Sequence, residues 1–174
     1  KTQACFVDSN AVKVYLVECD DLSALTECKQ IIREHYGRAN HSIHINDTFA
    51  ETWLIASSVF NENSRYFLNK ARQFQCLNFQ RVLGLYRQWL MQSSIDVEDV
   101  CVVSSALLSA FGLRDCRDLD FLAHIAPELT GVDIGCHNKE ESYYGVHRDE
   151  IIYNPANHFY LGGVKFCTLN VVKV

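Results

Sequence analysis

Two short apolar runs, joined by a pair of serines and a stretch of helical spacing, constrain this chain more than any other feature. The first, Val100-Cys-Val-Val103, is a continuous apolar run rich in valine, of the kind a buried strand carries. Ser104 and Ser105 follow, and residues 106–111 read as a short helix. The second run, Asp118-Leu-Asp-Phe-Leu122, alternates charged and apolar side chains with the period of a strand. That period sends Asp118 and Asp120 to one face and Leu119 and Phe121 to the other. Two carboxylates one pleat apart repel each other unless a cation lies between them. A hard divalent ion, Mg²⁺ or Mn²⁺, takes oxygen ligands and keeps positions for substrate phosphates, so Asp118 and Asp120 are candidate metal ligands. The plainer alternative makes Arg114, Asp115, Arg117 and Asp118 a solvated loop with local ion pairs.

At this block the chain resembles the nucleotidyltransferase superfamily that includes DNA polymerase β, poly(A) polymerases and tRNA nucleotidyltransferases. Its members have a strand, a Gly-Gly or Gly-Ser pair, a short helix and an Asp-x-Asp strand. Ser104 and Ser105 occupy the small-residue pair, fourteen residues ahead of Asp118, and Arg117 also fits. Ser104 departs from the usual first glycine, which matters for close backbone approach to a triphosphate. The resemblance, over roughly residues 73–166, implies Ser104, Ser105, Arg117 and Lys165 as nucleotide-binding residues, with Lys165 alternatively a strand-edge charge. It also implies a third catalytic carboxylate on a later strand. Asp133, with apolar flanks, and Asp149, ahead of Ile151-Ile152, compete for that role, with Asp149 slightly favoured.

The implied activity is metal-dependent transfer of a nucleotidyl group from a nucleoside triphosphate to a small-molecule, sugar or glycan acceptor. Two alternatives stay open: a metal-dependent glycosyltransferase whose Asp-x-Asp holds the diphosphate of a nucleotide sugar, and a catalytically inactive nucleotide- or sugar-binding module. His137-Asn138 and the segment 149–166 also resemble proteins of microbial and large-virus surface-polysaccharide pathways.

The expected fold is α+β: a small mixed sheet with flanking helices forming a nucleotidyltransferase-like core (71–174), preceded by a small α/β N-terminal region (1–70). In that region residues 12–16 alternate as a strand. Asp20 or Asp21 caps a helix stopped by Gly37, and Thr48 with Glu51 stands in capping-box register before a second helix. Residues 61–64 end or loosen that helix. A long helix over 73–93 carries Phe74, Leu77, Val82, Leu85, Tyr86 and Trp89 on its apolar face, despite Gly84. Ile151-Ile-Tyr153 reads as strand-like, and Gly162-Gly163 between apolar runs signals a hairpin.

The net charge of −5 gives no global reason to expect a phosphate-backbone partner, so nucleic acid is not the default ligand. Eight cysteines lie singly, with no Cys-x-x-Cys pair, and read as reduced thiols of a cytoplasmic protein. Cys116 has no oriented histidine partner that would make it a nucleophile. No stretch approaches the roughly 20 apolar residues of a membrane span. The start at Lys1 and the apolar run at the end suit a piece of a longer protein. His41 and His44, on a segment expected to be extended, point opposite ways and do not suit a shared zinc ion. His137-Asn138 and Asn157-His158-Phe-Tyr160 are polar-aromatic clusters apt for a base or sugar.

Overall fold

The computed structural model describes residues 12–72, 76–129 and 133–172, which fall into two compact units, Lys1–Ala56 and Ser57–Val174. In the first, helix α1 (Leu22–Tyr36) begins where Asp21 accepts the N–H groups of Ser23 (2.9 Å) and Ala24 (3.2 Å). It ends at Gly37, whose φ of 61° lets its N–H reach the carbonyls of Arg33 and Glu34. Residues 12–19 form no strand: they are exposed, Leu16 at 67%, and join no sheet among the described residues. Alternation alone does not make a strand without a neighbouring edge to bond. The N-terminal unit is therefore helical among its described residues, not α/β. Ala39–His41 is a 3₁₀ turn that runs into the segment expected to be extended only at His41, and residues 43–46 carry neither helix nor strand.

Helix α2 (Phe49–Val59) has Thr48 Oγ1 accepting Glu51 N (3.2 Å), while Glu51 Oε2 reaches back to Asp47 N (3.1 Å) rather than to Thr48. Asn61 then ends one helix and caps the next, α3 (Glu62–Lys70). Its Oδ1 accepts Ser64 N at 2.8 Å and its Nδ2 bonds the carbonyls of Pro155 and His158.

The second unit is α+β, a five-stranded mixed sheet flanked by helices. Its strands are β1 (Val100–Val103), β2 (Leu119–Ala123), β3 (Ile134–Cys136), β4 (His158–Leu161) and β5 (Val164–Cys167), in the order β3-β2-β1-β5-β4. β1 pairs antiparallel with β2 and parallel with β5, and β2 pairs parallel with β3. β4 and β5 form the expected hairpin, Gly162 and Gly163 supplying positive φ at both turn positions.

Helix α4 (Leu77–Gln92) covers one face of the sheet with Phe79, Val82, Leu83, Tyr86 and Leu90 buried. The apolar face is rotated from the expected one: Leu77 is 78% exposed and Leu85 lies at the surface, and Phe74 is outside the described residues. The rings of Tyr86 and Trp89 lie tilted against Phe121, and Phe79 meets Phe166 edge-on. On the other face lies α6 (Arg148–Tyr153), with Ile151 and Ile152 buried. These residues are helical rather than strand-like, because His147 Nδ1 accepts Asp149 N (3.2 Å) and opens a helix with Asp149 and Glu150 in its first turn. Between β1 and β2 runs the short helix α5 (Ala106–Ala110), as the spacing predicts.

The seven described cysteines are all free, and burial pushes the Cys167 thiol up to about 12. No helix among the described residues is long and apolar enough to cross a membrane.

Candidate functional site

The chain leaves β1 through Ser104, which takes φ 61°, a left-handed conformation that side chains with a Cβ rarely adopt. Ser105 returns to the right-handed region and α5 begins, with the N–H of Leu107 donating to Ser104 O and the N–H of Leu108 to Ser105 O. Ser104 thus has the backbone of a glycine at the position where the resemblance calls for one.

The loop leading to the Asp pair is tied to α4 from both sides. Asp115 Oδ1 and Oδ2 accept Phe79 N (2.9 Å) and Asn78 N (3.0 Å), closing a helix start that Cys76 leaves without a side-chain cap. In return Asn78 Nδ2 donates to the carbonyls of Cys116 (2.7 Å) and Arg117 (2.9 Å). The Arg117 side chain itself is exposed. These bonds fix where Asp118 emerges, one residue ahead of β2.

Asp120 lies within β2, opposite Val103 on one side and Gly135 on the other. It is buried to 9% exposure. Burial pushes its carboxyl above the usual range, and Asp118 and Glu140 push the same way. His137 and a hydrogen bond from Ser104 pull against them. His137 Nε2 stands 3.1 Å from Asp120 Oδ1, and His137 Nδ1 stands 3.3 Å from the Tyr144 hydroxyl. Tyr144 is buried and its phenol is held well above its usual pKa by desolvation, so it stays protonated. One proton arrangement satisfies all three groups: Tyr144 O–H donates to Nδ1, and Nε2–H donates to Asp120.

Backbone bonds hold His137 there. Its N–H reaches Phe121 O (2.8 Å), and Asn138 bonds both the N–H (3.0 Å) and the carbonyl (2.8 Å) of Ala123, extending the parallel β2–β3 pairing past the end of β3. Gly135 makes room for the carboxylate, since a Cβ there would lie 3.0 Å from Asp120 Oδ1.

The other candidates lie elsewhere in bonding. Asp133, just ahead of β3, makes a paired contact with Arg81 (2.7 and 3.1 Å), which holds its carboxyl low. Asp149 opens α6 rather than preceding a strand and meets His124 Nδ1 at 3.0 Å. Lys165 is buried on β5, which is flanked by β1 and β4 and is therefore no sheet edge. Its amine donates to the carbonyls of Glu98 and Ile152 (both 2.8 Å) and pairs with Glu98 Oε2 (2.9 Å). Those contacts match the three donors an ammonium has.

His137 was visible in the sequence as part of a polar cluster, but its pairing with Asp120 was not. Glu140 and Tyr144 carried no signal beyond lying in a polar, tyrosine-rich stretch.

Asp118 and Asp120 offer the oxygen donors a hard divalent ion takes, and burial, which raises the Asp120 carboxyl, disfavours a charge there that such an ion would offset. Among the described residues no three His, Cys, Asp or Glu side chains are grouped as a metal site. Comparison with known proteins finds no match, whether among protein families, curated proteins or solved structures.

Proposed function

We propose that the chain carries out metal-dependent nucleotidyl transfer from a nucleoside triphosphate to an acceptor hydroxyl. The observation that carries this reading is Ser104: directly after β1 and bonded to Asp120, it adopts the positive φ that a glycine takes in the family the sequence resembles. The strand, small-residue turn, short helix and Asp-bearing strand follow in the order the resemblance requires.

In this reading Asp118 and Asp120 hold Mg²⁺ or Mn²⁺. The ion supplies charge neutralisation for the triphosphate. Ser104 and Ser105 orient the phosphates, and His137 fixes the Asp120 carboxylate in one rotamer through Oδ1. The acceptor oxygen forms a bond to the α-phosphorus, the α–β phosphoanhydride breaks, and pyrophosphate leaves. The acceptor's proton passes to a third carboxylate. Asp133 and Asp149 are engaged by Arg81 and His124, whereas Glu140 is a carboxylate whose charge acts on Asp120.

A second reading has its own observation. The bonds that Asp120 makes to His137 and Ser104 compete with a cation for the same carboxylate, which favours a catalytically inactive nucleotide- or sugar-binding module of this fold. Thermal-shift measurements with nucleoside triphosphates and nucleotide sugars, each with and without Mg²⁺ or Mn²⁺, separate these readings. Metal-dependent stabilisation by a triphosphate, lost in Asp120→Asn, supports transfer. Metal-independent stabilisation supports the binding module, and stabilisation by nucleotide sugars alone points to a glycosyltransferase.

A further inference from the structure

A cavity of about 270 Å³ opens beside the C-terminal end of β5, lined by Tyr66 of α3, Phe111 after α5, Phe159 of β4, and Thr168 and Asn170 beyond β5. Its floor is aromatic: Phe111 and Phe159 are almost wholly buried with ring centroids 5.6 Å apart, and the Tyr66 ring, 57% exposed, leans on Phe111 from the rim. Asn63 and Leu169 complete the lining; the Asn63 amide is spent on the carbonyls of Pro155, Ala156 and His158, and the remaining polar side chains are uncommitted. The Thr168 hydroxyl is buried without a hydrogen-bond partner, and the Asn170 amide and the Tyr66 hydroxyl bond nothing among the described residues. No lining residue among those described carries a charge.

We infer that this cavity is a subsite for a neutral sugar ring, the acceptor of the transfer proposed above, an inference that rests on that reading for the word acceptor but not for the binding. Each property of the cavity excludes a competing ligand. A phosphate or a nucleotide needs cationic or clustered N–H donors, which the lining lacks. A purely apolar ligand would leave the Thr168 hydroxyl and the Asn170 amide desolvated and unpaired. A pyranose answers both demands, with a C–H face for the rings and hydroxyls for the amide and the threonine. The volume sits just below the roughly 300–1,000 Å³ of small-ligand clefts, which suits one ring rather than an oligosaccharide.

The location follows from strand register. β1 and β5 run parallel with Val102 opposite Phe166, so Ser104 and Thr168, which follow the ends of these strands, lie toward the same end of the sheet. The cavity's Phe159 stacks with Phe166 on the face that α4 covers, whereas Asp120, next to Phe121, points to the other face, so an acceptor held here would reach the Asp pair around the end of the sheet at Ser104.

The test measures binding of a panel of neutral methyl glycosides, hexoses and N-acetylhexosamines, by saturation-transfer NMR and calorimetry, without metal or nucleotide. The full chain is compared with Tyr66→Ala, Asn170→Ala and Asp120→Asn, each checked for folding by circular dichroism. Tyr66 and Asn170 are exposed enough that both variants keep the core intact. The expected result is binding of at least one glycoside, weakened tenfold or more by Tyr66→Ala or Asn170→Ala and unchanged by Asp120→Asn. If no glycoside binds, or if both cavity variants bind as the parent does, the assignment is overturned. Glycoside binding without any metal-dependent nucleotide binding would leave the sugar site standing and remove the transferase reading. Nucleotide binding without glycoside binding would do the reverse.

Discussion

Gly135 faces Asp120 across the β2–β3 pair so closely that a methyl group at 135 would lie 3.0 Å from Asp120 Oδ1, the atom His137 bonds. Gly135→Ala is expected to turn the carboxylate away from His137 at a stability cost of about 1–2 kcal/mol. Stabilisation by Mg²⁺ plus nucleoside triphosphate should fall far more than the melting temperature does. Thermal shift on the same samples reads both quantities.

Asp120→Asn should leave the melting temperature at pH 7 unchanged or higher. The carboxyl is raised above its unfolded value, so the stability it contributes is present in the protonated form at low pH and is lost as pH rises through the folded pKa. Neutralising it removes that loss. The advantage of the variant over the parent should therefore shrink as pH falls below about 4, which melting curves across pH would show.

Ser104 allows a comparison between two substitutions that both delete the hydroxyl. Ser104→Ala keeps the positive-φ strain, whereas Ser104→Gly releases it. The glycine variant should be more stable than the alanine variant by about 1 kcal/mol in urea denaturation. Equal stabilities would show that the turn relaxes out of the left-handed region.

Gly84 lies on the exposed side of α4 with nothing within 4 Å of where a Cβ would sit. Gly84→Ala should therefore stabilise the protein by about 1 kcal/mol through helix propensity alone. Its effect on nucleotide or glycoside binding should be nil.

His158 is buried, its Nδ1 donating to Ile151 O at 2.9 Å, and desolvation lowers its pKa to about 4. The unfolded chain takes up this proton near pH 6.5 and the folded chain does not. Stability is thus full above pH 6.5 and declines as pH falls toward 4, by up to about 3 kcal/mol from this group. NMR of the His158 ring should show it neutral at pH 5 in the folded protein.

How much of this was legible beforehand depended on sequence separation. The capped α1, the hairpin at Gly162-Gly163, and the succession of β1, serine turn, α5 and β2 are local patterns, and each formed where period and turn chemistry put it. What failed or stayed hidden depends on distant partners. Residues 12–16 alternate like a strand but meet no edge among the described residues. Asp115 caps a helix that starts 38 residues earlier, at Leu77. Asp120 and His137 meet only because β2 and β3 run parallel, and Lys165, which reads as an edge charge or a phosphate contact, lies inside the sheet because β5 pairs on both sides.

That buried lysine also bears on how the chain selects its own strand order. On β5 it alternates with Val164 and Phe166, and in the native register its amine meets the carbonyls of Glu98 and Ile152 and the Glu98 carboxylate. A hairpin slipped by one residue would swing the ammonium onto the aromatic face that Phe79 and Phe166 share, with no carbonyl or carboxylate to receive it. Lys165 and Glu98 are therefore expected to disfavour a misregistered sheet, since a shifted strand would leave a buried ammonium without its acceptors.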